Sequence, residues 1–189
     1  MLFGICSPAT SHTSGFAKRV KPLPLYANLL NAARILTDHD VSRPKQANLR
    51  RAVSSAYYAL FHRLIAESVH TLSPKPKRGV LLDRMSRAFQ HGEIKQVCKQ
   101  FQQEPLPEAI RTLLQRPVSA ELKVVTEAFL DLQEARHEAD YDVGARLTRS
   151  DALSAVITAE AAFRGWDRVK PEEAHVFLVA LAFGARWNR

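Results

Sequence analysis

Apolar residues in this chain recur at steps of three and four, the spacing of one face of an α-helix. The stretch LRRAVSSAYYALFHRLI, positions 49–65, carries the pattern most fully: Leu49, Val53, Ala56, Leu60 and Leu64 follow at steps of four, three, four and four. A second stripe on the same stretch holds Arg51, Ser55, Tyr58 and His62. One face is therefore aliphatic, and another bears a cation, hydroxyls and an imidazole. Periodicity alone assigns such a stretch to a core helix with a solvated polar side.

The same period predicts helices along the rest of the chain. A first helix is expected over 23–38, with Tyr26, Leu29, Ala33 and Leu36 inward. Asp38, Asp40, Ser42 and Pro44 punctuate it. Pro44 suits the first turn of the next helix, 43–72, where a missing N–H costs nothing. SPKPKRG, 73–79, breaks that helix with two prolines. It is either a solvated connector or a basic loop that touches phosphate through Lys75, Lys77 and Arg78. Short helices are expected over 80–90, with Leu81, Met85 and Phe89 inward and His91-Gly92 as the stop, and over 93–102. One or two helical turns fit 108–115, among Pro105, Pro107 and Pro117.

A long helix is expected over 119–140, with Ser119 as N-cap and Val118, Leu122, Val125, Phe129 and Leu132 as its buried stripe. The next position in that series is Arg136. A guanidinium there needs a partner or a wet cavity, and Asp140, four residues on, can supply the partner. The helix over 151–169, capped by Thr148 or Ser150, has two apolar rows. One is Val156, Ala159, Phe163 and Trp166; the other is Leu153, Ile157 and Ala161. Both faces read as covered, with Gly165 a weak spot. Pro171 opens a last helix, 172–187, whose packing surface comprises His175, Phe177, Leu178, Leu181, Ala182 and Ala185. The sum is an all-α fold, an up-down bundle of about five main helices with short inserted helices and a C-terminal helix. Residues 1–21 read as a small, polar, basic tail with little to bury. They are either a polyanion contact or a misassigned start. Residues 22–189 read as one domain, its core over about 25–168 and the extra C-terminal helix over about 171–187.

Composition narrows the function classes. Seven glycines and no clean strand alternation agree with an all-helical chain. The net charge of +8 favours polyanionic partners, above all nucleic acid. Cys6 and Cys98 form no zinc pattern and no disulfide framework, and suit a reducing cytoplasm. No apolar run has the length of a membrane span, and there is no glycine-rich phosphate loop, HExxH, CxxC or GxSxG. Glu134, Glu138 and Asp140 near His137 read as helix-surface charge, so no metal and no cofactor is expected.

Two segments, RRAVSSAYYALFH at 50–62 and ARHEADYD at 135–142, resemble the HEPN family (higher eukaryote and prokaryote nucleotide-binding domains). The resemblance covers roughly 25–166 and implies a compact helical bundle. It also implies a cytoplasmic homodimer that binds RNA or nucleotide in a toxin–antitoxin, defence or regulatory system, with a nucleotidyltransferase-type antitoxin as a further partner. Many family members are metal-independent ribonucleases with an Arg-x(4–6)-His signature. The Arg neutralises a scissile phosphate, and the imidazole exchanges protons near neutral pH. The family Arg falls on Arg136 and its polar follower on His137. Where the family places His, this chain has Tyr141, Asp142 and Val143.

The resemblance thus points to a binding module with weak or no catalysis. The alternatives are an endoribonuclease using Arg136 with Tyr141, His137 or His62, and a helical protein-interaction module with no nucleic-acid role. His137 projects about 100° away from Arg136 around the helix, and a phenol is a weak base at neutral pH. Arg34 with His39, Arg63 with His70, Arg84 with His91 and Arg168 with His175 match the bare spacing away from the family position. Arg51, Ser55, Tyr58, His62 and Asp140 are the residues expected to line the site, and Ser54, Ser55, Tyr58 and His62 those expected at a helix–helix or protomer contact.

Overall fold

The computed structural model describes residues 23–40, 42–72 and 79–184, with side chains described from 83 onward in the last segment. These residues form α1 (Leu25–Asp38), α2 (Gln46–Leu72), α3 (Gly79–Ala88), α4 (His91–Gln102), α5 (Glu108–Leu114), α6 (Ala120–Tyr141), α7 (Arg149–Trp166) and α8 (Pro171–Phe183), with no strand among them. The all-α expectation holds. Lys75, Lys77, Arg78, Leu81 and the tail lie outside what is described.

The predicted aliphatic face of α2 is fully buried: Leu49, Val53, Ala56, Leu60 and Leu64 are at most 1% exposed. Ala52, Tyr57, Phe61 and Ile65 are buried as well. A helix that is apolar round most of its circumference must be enclosed, and α2 packs against α1, α6, α7 and α8. Removing the Leu60 side chain would cost about 2–5 kcal/mol.

Cross-helix contacts give the directions. Tyr26 meets Arg63 while Asn48 meets His39, so α1 and α2 are antiparallel. Arg50, near the start of α2, reaches the end of α6 at Ala139. Gly165, at the end of α7, lies over Glu121 at the start of α6. Helices α1, α2, α6 and α7 therefore form an up-down bundle. The short helices α3–α5 occupy the α2-to-α6 connection, and α8 closes one end through Phe177, packed on Phe101 and Trp166.

Caps fix the starts of α6, which carries Arg136, and of α7. Ser119 Oγ accepts from the Leu122 N–H at 3.2 Å, and Thr148 with Asp151 forms a reciprocal capping box at α7. Gly165 sits at a close approach of α6 and α7. A Cβ there would lie 3.1 Å from the Glu121 carbonyl oxygen, so a larger residue would require the helices to give slightly.

Several expectations are corrected. Pro44 precedes α2 instead of opening it. Asp40 takes a left-handed φ of 56°, the Arg43 N–H donates to the Asp40 carbonyl, and the first intrahelical bonds return to Lys45. Leu153 and Ile157 are exposed, because α7 uses a single face against α1, α2 and α6. His175 is exposed, whereas Glu173 is buried and accepts from the Ser119 N–H at 2.7 Å. The inward residues of α1 are Leu30, Ala33 and Thr37, with Leu29 and Leu36 at the flank. His91-Gly92 does not end α3; it begins α4, and the break falls at extended Gln90 (φ −110°, ψ 137°).

Candidate functional site

Arg136 stands where the apolar stripe of α6 meets α2, and its side chain is 15% exposed. Its Nε donates to Asp140 Oδ2 at 2.9 Å, one helical turn on, as the i, i+4 spacing predicts. Its Nη2 donates to the Tyr58 hydroxyl at 3.0 Å and to that of Tyr141 at 3.4 Å. The guanidinium carbon lies 5.7, 5.3 and 5.5 Å from the ring centres of Tyr57, Tyr58 and Tyr141. Nη1 has no hydrogen-bond partner among the described residues. Burial pulls the Arg136 pKa down, but Tyr58, Asp140 and Tyr141 outweigh it and hold the group above its ordinary value. The cation is permanent.

Asp140 is held in turn by Ser54, whose hydroxyl donates to Oδ1. The next support is Arg50. Its Nη1 donates to the carbonyls of Ala139 at 2.7 Å and Asp142 at 2.9 Å, and its Nη2 to that of Ala145 at 2.6 Å. Gln46 pairs with both backbone groups of Leu147. The first turns of α2 thus clamp the end of α6 and the loop after it, which fixes Tyr141 beside Arg136.

Aromatic rings continue the site along α2. Tyr58 stacks with His62 at 6.2 Å and 28°. Phe61 stacks with His91 at 4.1 Å and 26°. His91 Nδ1 lies 2.6 Å from the Tyr57 hydroxyl. Burial lowers the pKa of His62. It also lowers that of His91, with the charges of Arg136 and His62 adding to the effect. Both imidazoles are therefore neutral at neutral pH.

Of the residues expected at the site, Arg136, Tyr58, Asp140, Tyr141 and His62 come together. Arg51 is exposed on α2 with no partner among the described residues; its neighbour Arg50 points to α6 instead. Ser55 is half-buried, and Ser54, about 100° away around the helix, is the serine that reaches Asp140. His137 is exposed and, among the described residues, meets the Tyr141 ring at 5.1 Å. Sequence reasoning missed Arg50, Tyr57 and His91. The i, i+4 pair Tyr57 and Phe61 was the available signal for the aromatic face. Nothing local in the sequence joins His91 to Arg136. No group of three or more His, Cys, Asp or Glu side chains that could hold a metal occurs among the described residues. No helix of the described residues is long and apolar enough to cross a membrane. Compared with family models, curated proteins and solved structures, the chain matches none.

Proposed function

We propose that this chain is a HEPN-like, homodimeric module that binds RNA or a nucleotide through Arg136, with weak or no catalysis. The observation that carries the reading is the unspent Nη1 edge of Arg136. A guanidinium held by a carboxylate and two phenols, with one edge free, is preorganised for a phosphate oxygen and loses little entropy on binding. Tyr58 and Tyr141, a residue 62% exposed, stand beside it as stacking surfaces for a base. The net charge of +8 draws a polyanion to the molecule. Val143, at 94% exposure next to the site, leaves an apolar rim that a second copy would cover.

The test is fluorescence anisotropy of a labelled single-stranded RNA at low salt, with Arg136→Ala and Arg136→Lys beside the wild type. Binding should weaken with salt and fall in both variants, since Lys cannot supply the planar fork. Equal binding by all three would refute the reading, and sedimentation of a monomer at micromolar concentration would refute the dimer.

A second reading, a metal-independent endoribonuclease, is favoured by one contact. The Tyr141 phenol is 3.4 Å from Arg136 Nη2, at the position where the family signature carries its His. Brisk RNA cleavage in EDTA that is lost in both Arg136→Ala and Tyr141→Phe would establish it.

A further inference from the structure

His91 is pinned on two sides. Phe61 covers one face of the ring, and the Tyr57 hydroxyl meets Nδ1 at 2.6 Å. Tyr57 is fully buried, and burial pushes its ionisation far above the ordinary phenol value, so its proton stays on. A buried hydroxyl must place that proton on an acceptor. Nδ1 of His91 is the acceptor available to it among the described residues. The Tyr57 O–H therefore donates to Nδ1, and in the neutral ring the imidazole proton sits on Nε2. Nε2 has no partner among the described residues and is not sealed from solvent.

His91 and Arg136 approach the same two rings. The imidazole centre is 5.6 Å from Tyr57 and 5.9 Å from Tyr58, and the guanidinium carbon is 5.7 and 5.3 Å from them. From α6, the Gln133 amide donates to the His91 carbonyl at 3.3 Å, which steadies the first turn of α4. His62 is the remaining titratable neighbour on α2, and it too is neutral. Asp140, the carboxylate on Arg136, is already shared between Arg136 and Ser54.

We infer that His91 is the second phosphate-holding group of the site, its Nε2–H and the Arg136 Nη1 edge donating to two oxygens of one nucleotide phosphate. The inference rests on the reading of Arg136 as a phosphate-binding group. It assigns the ligand a phosphate held between α4 and α6, with its base on the tyrosine face. It also explains why binding need not lead to cleavage: both groups present donors, and neither offers a lone pair to take a proton from a ribose hydroxyl.

The experiment uses the full chain with adenosine 5′-monophosphate as probe. In the wild type, long-range proton–nitrogen NMR should place the His91 proton on Nε2, and that nitrogen should shift as the probe is added. A proton on Nδ1, or an Nε2 indifferent to the probe, overturns the proposal without any mutation. His91→Phe keeps a ring on Phe61 but removes the donor, and should weaken probe binding about tenfold, the usual worth of a hydrogen bond to a charged group. Binding within twofold of wild type overturns the role of His91 while leaving that of Arg136 standing. A probe that fails to bind the wild type, or binds Arg136→Ala equally well, overturns both.

Discussion

Two arginines of this bundle lie over aromatic rings beside a carboxylate, and their remaining donors face different surroundings. Arg63, where α2 meets α1 and α7, lies 4.5 Å over Phe163 and 5.8 Å from Tyr26. Its Nη2 pairs with Asp167, its Nη1 donates to the Phe163 carbonyl at 3.3 Å, and its Nε faces Glu67 at 4.0 Å. Arg136, where α6 meets α2, is almost as buried, at 15% against 10% exposure. The difference is in where the unspent donor lies. Arg63 spends Nη1 and Nη2 on the end of α7 and acts as a bracket between helices; its Nε is buried with no hydrogen-bond partner. Arg136 keeps Nη1 free. Burial, a carboxylate partner, a ring contact and an unspent donor accompany both; what separates them is that the unspent Nε of Arg63 is sealed from solvent, whereas Nη1 of Arg136 is not. Arg63 also matches the bare Arg-x(4–6)-His spacing with His70, which shows that the spacing does not distinguish the roles.

The sharpest way to press this contrast is to place an imidazole directly beside Arg136, at position 141. Tyr141→His places an imidazole one helical turn from Arg136 and should add EDTA-resistant RNA cleavage, a gain of about 10² to 10⁴ in rate. Adding Arg136→Ala should abolish the gain. A product gel showing no cleavage by Tyr141→His would mean that the phosphate does not sit between positions 136 and 141.

Next in size is the bracket. Arg63→Ala removes its ion pair, its carbonyl bond and the stem packed on Phe163. It should lower the urea-derived stability by about 2–3 kcal/mol with RNA binding unchanged in the folded fraction. Arg63→Met, which keeps the stem, should lose less. Arg136→Ala should show the converse: a binding loss of about tenfold or more, with stability changed by less than about 1 kcal/mol, because Asp140 retains Ser54 and solvent. If both variants lost stability alike, the two arginines would have the same role.

The smallest effect is in pH. Folding lowers the pKa of His62 and His91, chiefly by burial, so the unfolded chain binds more protons than the native one below about pH 6.5. Their contribution is present above that value and is lost as pH falls through the folded pKa values. Melting temperature should therefore decline from pH 7 toward pH 5, and His62→Gln with His91→Gln should flatten the decline. An unchanged slope would show that both rings are already wet in the native state.

Much of this architecture was legible in the chain. Steps of three and four along 49–64 placed the enclosed face of α2. Ser119 and Thr148 announced the starts of α6 and α7, and the Arg136–Asp140 pair followed from i, i+4 geometry. All of these depend on residues within one or two helical turns of each other, where helix geometry alone sets neighbours. What only the tertiary structure decided are the contacts between segments far apart in sequence. These are the clamp of Arg50 on the α6–α7 loop, the choice of Ser54 over Ser55, the exposure of Leu153 and Ile157, and the arrival of His91 beside Tyr57 and Arg136. Periodicity identifies which residues share a helical face but not which helix will cover that face. That choice belongs to the packing of the whole bundle, and with it the different surroundings of Arg63 and Arg136.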